Sequence, residues 1–536
     1  MSDQAAQTPG AGGLAYKWRV LISVIFGIFM VILDTTVVNV AFQTLAQEYG
    51  ASLTDSQWIL SVYVLALGIS TPLAGFMADR FGIKKVYVSA LAIFVLGSLL
   101  CGLAPTLWTL VAARALQGFG GGLALPLGTA LLLSSFPPEE QGTALGFFGI
   151  ALVLAPALGP ILGGFLVDQG LWPWIFYINV PIGLFGVFLA SRWLRERKSE
   201  RAVPLDLLGL ITSVVGFGSV LYAASIAEEQ GWGSGSVLMW FAIGAVGLVA
   251  FALVELFVAK EPLMDLRLFA KPTFLVASLV GWVSVIALFG AEFLLPVYLQ
   301  VLRGRSALTT GFMLLPLAVM AGISVPLSGK AYDKVGPRPL IVAGFAVLLL
   351  NTWQLSQIEA TTSIGWIMFL LALRGLALGL TVQTTLVTAL SVVEAPKLAR
   401  GSALVNSTRQ VVQAIGVAVL ATVLASTQSP EVKELGQQFR NQATASTARF
   451  GLCETPGVDP ANNLPAEVLK LPAAAQDRIR PQIQQACAEY VAGFEKTYQL
   501  TFFVALLAVA LGAFLPGWPL KWAGRRAADA PAPVGH

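Results

Sequence analysis

Charged side chains lie inside long apolar stretches of the sequence: Asp34, Arg114, Glu292 and Arg374 lie well inside theirs, and Arg409 falls within another. A charged group at mid-membrane depth costs roughly 2.5–3.5 kcal/mol even on a lenient insertion scale, so such groups form structural ion pairs or have a function. Burial favours the neutral form of a carboxyl, and a neighbouring guanidinium favours its charged form. An arginine that moves relative to Asp34 or Glu292 would therefore make that acid bind or release a proton.

The residues needed for most other site chemistry are scarce. The single histidine is His536, the last residue, and the three cysteines are Cys101, Cys453 and Cys487. These counts predict no metal site and no cofactor. The glycine run at 118–122 lies inside an apolar stretch and lacks the Lys-Ser or Lys-Thr of a phosphate-binding loop. Because no nucleophile–base pair is evident either, we expect a protein that is not an enzyme and does not hydrolyse ATP.

The composition shows which environment must hold these charges. Of 536 residues, 56% are hydrophobic and 12% are charged, and the charged share is about half that of soluble proteins. The mean hydropathy is +0.76. Such a chain cannot cover a water-facing surface, and a chain in lipid must satisfy its own backbone groups. We predict an all-α integral membrane protein, and nucleic-acid binding is excluded as a function.

Fourteen apolar runs are each long enough to cross a hydrocarbon core of about 30 Å as a helix. Their approximate limits are 20–42, 56–78, 86–104, 107–132, 143–167, 174–193, 206–226, 237–258, 273–299, 309–329, 340–358, 365–388, 402–425 and 497–517.

Lysine and arginine placement predicts the orientation. If the N-terminal tail 1–19 is cytoplasmic, Arg303 and Arg305 are the only basic residues in the short outward loops. Basic residues concentrate on the cytoplasmic side of membrane proteins. We therefore expect a multi-pass protein of the cytoplasmic membrane, with both the N-terminal tail and the tail 518–536 in the cytoplasm.

An internal repeat organises the predicted spans. Gly75, Asp79 and Gly82 follow span 2, and Gly329, Asp333 and Gly336 follow span 10 with the same spacing. Arg114 in span 4 and Arg374 in span 12 are offset by the same eight spans. The repeat predicts two six-helix bundles, at 20–193 and 273–517, separated by a basic linker and an inserted helix pair at 194–272. Parallel repeats of this kind are typical of alternating-access transporters.

The segment at 75–85 (GFMADRFGIKK), here called the first loop motif, can act as a latch. Its glycines let two helix ends approach closely, and Asp79 can accept from backbone amides or pair with a cation. Arg80, Gly82 and Lys84 belong to the same motif. The second loop motif, at 329–338, carries Asp333. We predict that both motifs gate the inward side.

Two further segments have a predicted structural role. Span 5 contains Gly159, Pro160, Gly163 and Gly164, which predict a kinked helix with a flat face for close packing or for a rocking contact. The polar segment 426–496 is predicted to lie outside, where Cys453 and Cys487 form a disulfide or stay as two free thiols.

Five segments together resemble a known family. They are LDTTVVNVA at 33–41, GFMADRFGIKK at 75–85, ARALQGFGGG at 113–122, GPILGG at 159–164 and WPWIFYINVPIG at 172–183. Over essentially its whole length the chain resembles the major facilitator superfamily, and within it the fourteen-helix drug:proton antiporter branch of the EmrB/QacA type.

The resemblance implies a major facilitator fold and particular residue roles. Asp34 and Arg114 would take part in proton coupling, Asp79 and Arg80 would gate the inward face, and the helix 5 motif would favour antiport over symport. The chain departs from the family pattern at Phe42-Gln43, which replace Leu-Pro, and at Ala155, which replaces the first glycine of the antiporter motif. Lys334 and Pro337 also depart from the pattern in the second loop motif.

The leading hypothesis is proton-driven export of hydrophobic and cationic compounds. The predicted substrate cavity includes Asp34, Asn39, Gln117 and Glu292, and we expect a monomer, with a periplasmic adaptor as a candidate partner. An alternative is export or flipping of a lipid or lipid-like metabolite by the same fold. A third reading is a receptor or scaffold that binds through the outer segment.

Overall fold

The computed structural model describes residues 14–196, 206–303, 305, 307–359, 361–432, 453 and 473–517. Within these residues, all the regular structure is helical. The predicted C-terminal tail, most of the N-terminal tail, part of the basic linker and most of the segment 426–496 lie outside the described residues.

The helices follow the apolar runs closely. Their bounds are α1 Tyr16–Glu48, α2 Leu53–Ser70, α3 Leu73–Phe81, α4 Ile83–Gly102, α5 Leu107–Ser135, α6 Gln141–Asp168, α7 Trp174–Tyr177, α8 Asn179–Trp193, α9 Leu207–Gln230, α10 Gly235–Leu253, α11 Pro272–Val297, α12 Ala307–Val335, α13 Pro337–Leu355, α14 Ile364–Ser391, α15 Leu398–Ser426 and α16 Ala473–Gly512.

Each of the fourteen predicted spans falls on helix, but not every helix is long and apolar enough to qualify singly. Among the described residues, twelve helices qualify, and the bent pair α2–α3 raises the number to thirteen. Helix α11 supplies a shorter apolar stretch, Pro272–Ala287. The all-α membrane architecture is confirmed.

Proline and glycine set the breaks between these helices. The pair α2–α3 bends by 53° where Pro72 cannot donate a backbone hydrogen bond. Gly82 and Gly336 adopt φ values of 94° and 79°, a region that residues with a Cβ rarely enter. Both loop motifs therefore turn sharply between two helices.

The helices of the two halves meet along several contacts. Helix α6 runs against α12, and α15 packs against α3 and α5. Gly142 and Gly146 of α6 lie against Gly329 and Pro326 of α12. Close approach of this kind depends on small residues at the contact.

Helices α9 and α10 pack on each other, and α9 also contacts both α2 and α15. The Tyr222 ring stacks on Trp58 of α2 with 5.8 Å between ring centroids. Trp232, just beyond α9, donates its indole N–H to the Thr422 hydroxyl of α15. The inserted pair therefore bridges two helices from different halves.

A disulfide joins Cys453 to Cys487 of α16, with 5.1 Å between the Cα atoms. The backbone N–H of Cys453 donates to the Leu302 carbonyl at 3.0 Å. The bridge and this hydrogen bond therefore tie Cys453 to α16 and to the segment that follows α11.

Candidate functional site

The Asp34 carboxylate is the centre of a closed polar network in the first half. Its Oδ2 pairs with Nη1 of Arg114 at 2.5 Å. Its Oδ1 accepts from Gln117 Nε2 at 2.8 Å and from Asn179 Nδ2 at 2.7 Å. Asp34 is 0% exposed and Arg114 is 1% exposed. A buried charge needs this degree of satisfaction, because an unpaired one would cost several kcal/mol.

Arg114 is held by partners besides the acid. Its Nε donates to the Ile59 carbonyl at 3.1 Å, and its Nη1 also donates to Gln117 Oε1 at 2.7 Å. The guanidinium lies over the Tyr63 ring, 4.0 Å from the centroid. Because these contacts do not involve Asp34, the arginine keeps them if the carboxylate becomes neutral.

The network connects five helices. Asp34 belongs to α1, Arg114 and Gln117 to α5, and Asn179 to α8. Gln117 Nε2 also donates to the Ser98 hydroxyl of α4 at 2.6 Å, while α2 supplies the Ile59 carbonyl. A change of charge at one carboxyl therefore affects most of the first bundle.

Arg374 occupies the related position in the second half with different partners. Its Nη2 donates to the Ala287 carbonyl of α11 at 2.5 Å, and its Nη1 donates to Asn351 Oδ1 of α13 at 3.2 Å. Arg374 is 1% exposed. Two of the partners of this arginine are therefore neutral oxygens.

The remaining predicted cavity residues lie apart from this network. Glu292 falls on helix α11, but its side chain lies outside the described residues. Asn39 is exposed on α1, about one turn beyond Asp34. Among the predicted cavity residues whose side chains the structure describes, Asp34 and Gln117 touch each other.

The first loop motif meets α15 of the other half. Asp79 Oδ2 pairs with Arg400 Nε at 2.6 Å, and Glu261 Oε2 pairs with Arg400 Nη1 at 3.2 Å. Gly75 permits this approach, since a Cβ there would lie 2.9 Å from the Arg400 Cα. One arginine therefore links the first half, the second half and the segment after the inserted pair.

The other residues of the first loop motif point elsewhere. Arg80 lies beside the rings of Phe76 and Phe81, at 5.9 and 5.6 Å. Gly82 forms the turn between α3 and α4, and Lys84 is the second residue of α4. Asp79 is therefore the member of this motif whose side chain pairs with a charge of the other half.

The second loop motif meets α6 of the first half. Asp333 Oδ1 accepts from the Gly142 N–H at 2.8 Å. Its Oδ2 accepts from the Thr143 N–H at 2.9 Å and from the Thr143 hydroxyl at 2.7 Å. These are the first residues of α6, where backbone N–H groups have no partner within the helix. Asp333 therefore caps a helix of the opposite half. The end of the molecule that carries both motifs is here called the loop-motif end.

The antiporter motif at 159–164, in predicted span 5, belongs to α6 and lies between α1 and α12. Gly159 packs on Thr36 of α1, and Gly163 approaches the Val37 carbonyl of the same helix. Pro160 faces Gly311 of α12, with 3.4 Å between its Cβ and a Cβ built on that glycine, while Gly164 has open space around it. The motif therefore places α6 in contact with the Asp34 helix and with the second half.

Sequence reasoning missed Asn179, Arg400 and Glu261. Asn179 carries a weak signal, because it is a polar residue in an apolar helix entry. Arg400 and Glu261 look like ordinary loop-end charges, and only the fold brings them to Asp79.

Comparison with known proteins agrees with this architecture. The family model described as Major Facilitator Superfamily matches residues 24–417. The chain is 32% identical to "Multidrug export protein EmrB" of Haemophilus influenzae, over 73% of this chain and 77% of that protein. It is 31% identical to "Fatty acid resistance protein FarB" of Neisseria gonorrhoeae, over 77% of this chain and 82% of that protein.

A solved structure supports the fold. The major facilitator proton:xylose symporter XylE aligns with a TM-score of 0.57 at 14% identity, over 94% of this chain and 96% of that one. The chain belongs to the Major Facilitator Superfamily, a family of membrane transporters.

Proposed function

We propose that this chain is a proton-coupled exporter of hydrophobic compounds that works by alternating access. The observation that carries the proposal is the Asp34–Arg114 pair, shut away at mid-span among neutral donors. A proton on Asp34 removes one charge from this pair and leaves Arg114 with its carbonyl, amide and ring contacts. The pair can therefore exist in two charge states without breaking the bundle.

A short path connects Asp34 to the interface between the halves. Thr36, two residues further along α1, has its hydroxyl 3.5 Å from the Ala155 carbonyl of α6. Gly159 of α6 packs on the same threonine, and α6 contacts α12 along its length. We propose that movement of α1 on protonation is passed to α6 and then to the second half.

The loop motifs supply the gate in this proposal. We propose that the loop-motif end and both termini lie on the cytoplasmic side of the cytoplasmic membrane, because basic residues concentrate on that side. Asp79 and Asp333 each hold a helix of the opposite half, so the inward side is closed in this state. Opening it requires both contacts to break.

The substrate class is supported by two relatives and remains a proposal. EmrB is named for multidrug export and FarB for fatty acid resistance. Hydrophobic drugs are the first candidate, and lipid-like compounds are the second. We propose a monomer as the working unit, with a periplasmic adaptor as a candidate partner.

Reconstitution tests the proton-coupling proposal. Purified protein in liposomes with an internal pH-sensitive dye receives a proton gradient and then a series of lipophilic compounds. We expect substrate-evoked proton movement in the unmodified protein and its loss in Asp34→Asn. Asp168→Asn is the matched control, because Asp168 is exposed at the end of α6. Unchanged proton movement in Asp34→Asn would exclude Asp34 as the coupling group.

A further inference from the structure

Arg409 differs from every other described charge at mid-span. Asp34, Arg114 and Arg374 are at most 1% exposed and each has polar partners, whereas Arg409 is only partly buried. No ion pair or hydrogen bond joins Arg409 to another described residue. It lies roughly eleven residues into α15, which is about 16 Å from the start of that helix. The side chain cannot reach the membrane surface from this depth.

The surroundings of Arg409 form a cleft between α11, α14 and α15. Its walls are Ala277, Ser278, Gly281, Thr385, Leu386, Ala389 and Val405. A Cβ built on Gly281 would have only the Thr385 hydroxyl nearby, at 4.0 Å. The walls are mostly apolar around one cation.

A second unsatisfied group lies in the same cleft. The Ser278 hydroxyl is buried without a hydrogen-bond partner, and the residue is 3% exposed. Buried hydroxyls are normally paired, because leaving one unpaired costs about 1–3 kcal/mol. A guanidinium and a hydroxyl that line the same cleft are both donors, and both can donate to the oxygens of one carboxylate.

The cleft and the acid of α11 lie at different levels of that helix. Glu292 is eleven residues beyond Gly281, about 16 Å further along α11. Helix α15 is also fully buried from Leu398 to Val405 and partly exposed from Thr408 to Ile415, so Arg409 lies where the helix begins to border open space.

We propose that the Arg409 cleft binds the carboxylate of an amphiphilic substrate, with Arg409 and Ser278 as the anion-binding groups. The inference rests on the proposed exporter function and assigns it a substrate class: monovalent organic acids with an apolar tail. Asp34 is paired with Arg114, whereas Arg409 has no acid partner among the described residues. The Arg409 cleft therefore favours an anion over a cation.

A binding measurement tests this proposal without requiring transport. Protein in nanodiscs of uncharged phosphatidylcholine is titrated with dansylaminoundecanoic acid and with its primary amide. The amide has the same tail and no charge. We expect the acid to bind more tightly by about tenfold or more, the range of a hydrogen-bonded charge.

Variants test which residues cause the acid to bind more tightly than the amide. Arg409→Gln should abolish it, Arg409→Lys should retain part of it, and Ser278→Ala should reduce it several-fold. Arg192→Gln is the matched control, since Arg192 is exposed at the end of α8. If Arg409→Gln fails to fold, the Ser278→Ala result decides, because that change only removes an unpaired hydroxyl.

Three outcomes would overturn the proposal. Equal binding of acid and amide by the unmodified protein removes the anion subsite. A preference for the acid that is undiminished in folded Arg409→Gln or in Ser278→Ala places the anion site elsewhere. Competition by millimolar acetate as strong as by the long-chain acid would mean that the cleft takes free anions. Proton-driven movement of a lipophilic cation is measured separately, so a failure of the exporter proposal is distinguishable from a failure of this one.

Discussion

The two loop motifs hold the same end of the molecule by different physical means. Asp79 pairs with a side-chain cation, Arg400, which also pairs with Glu261. Asp333 accepts three hydrogen bonds from the start of α6 and has no cation among them. One contact depends on the charge of the acid, and the other depends on its acceptor atoms. The repeat has therefore kept the position of the acid and changed what it binds.

The largest effect is expected from removing both carboxylates at Arg400. In Asp79→Asn with Glu261→Gln, this arginine, 9% exposed as a side chain, loses every described acid partner. Leaving a mostly buried charge unpaired costs about 3 kcal/mol, so the closed state should become roughly 100-fold less populated. Spin labels at the exposed residues Lys85 and Glu394 measure this population by electron–electron distance distributions. A loss no larger than the sum of the two single changes would argue against a shared arginine.

Asp333→Ala should have the next largest effect. The change leaves two backbone N–H groups and one hydroxyl of α6 without their acceptor, which costs about 2 kcal/mol. The same labels should report a closed state about 30-fold less populated. A closed fraction equal to that of the unmodified protein would show that water replaces the carboxylate without cost.

Asp79→Asn alone should have a smaller effect. Glu261 continues to neutralise Arg400, and an asparagine oxygen still accepts from its Nε, so we expect a loss of about 1 kcal/mol. The effect should shrink at high ionic strength, since Asp79 and Glu261 are 20% and 41% exposed as side chains. The closed fraction is compared at low and high salt, and an effect independent of salt would contradict an electrostatic latch.

The last change, Asp333→Asn, should cost about as much as Asp79→Asn and should not depend on salt. The asparagine oxygen can still accept from Thr143, but its Nδ2 cannot accept from the Gly142 N–H, so one of the three hydrogen bonds is lost at a cost of about 1 kcal/mol. No positive partner is lost with the charge. The closed fraction is again compared at low and high salt, and a loss that shrinks at high salt would mean that the helix N-terminus at Gly142 acts mainly through its positive charge.

The sequence alone predicted the helices and the deep charges for a clear physical reason. Apolar runs and intramembrane charges are local signals, and each is costly enough to be informative. Asp34 and Arg114 were identified in this way, and the structure places them in contact.

The partners of these charges could not be predicted in the same way. Ser98 and Asn179 are uncharged polar residues, which cost less than a charge inside a membrane helix and therefore give a weaker signal. Their role depends on which helix faces Asp34. Arg400 lies far along the chain from Asp79, and the link between them exists only in the folded bundle. One departure of the second loop motif has a local explanation. Pro337 occupies the first position of α13, where its fixed φ suits a helix start.

The inserted pair has a consequence for how this chain relates to twelve-helix transporters. Helix α9 fills the seam between α2 and α15, with Leu221 against Gly68 and Gly218 against Ile69. If residues 206–258 were excised, Gly68 of α2, which a Leu221 methyl now covers, would face lipid, and Thr422 of α15 would lose its indole donor. The insertion is thus packed into the surfaces of both halves and is not a removable accessory.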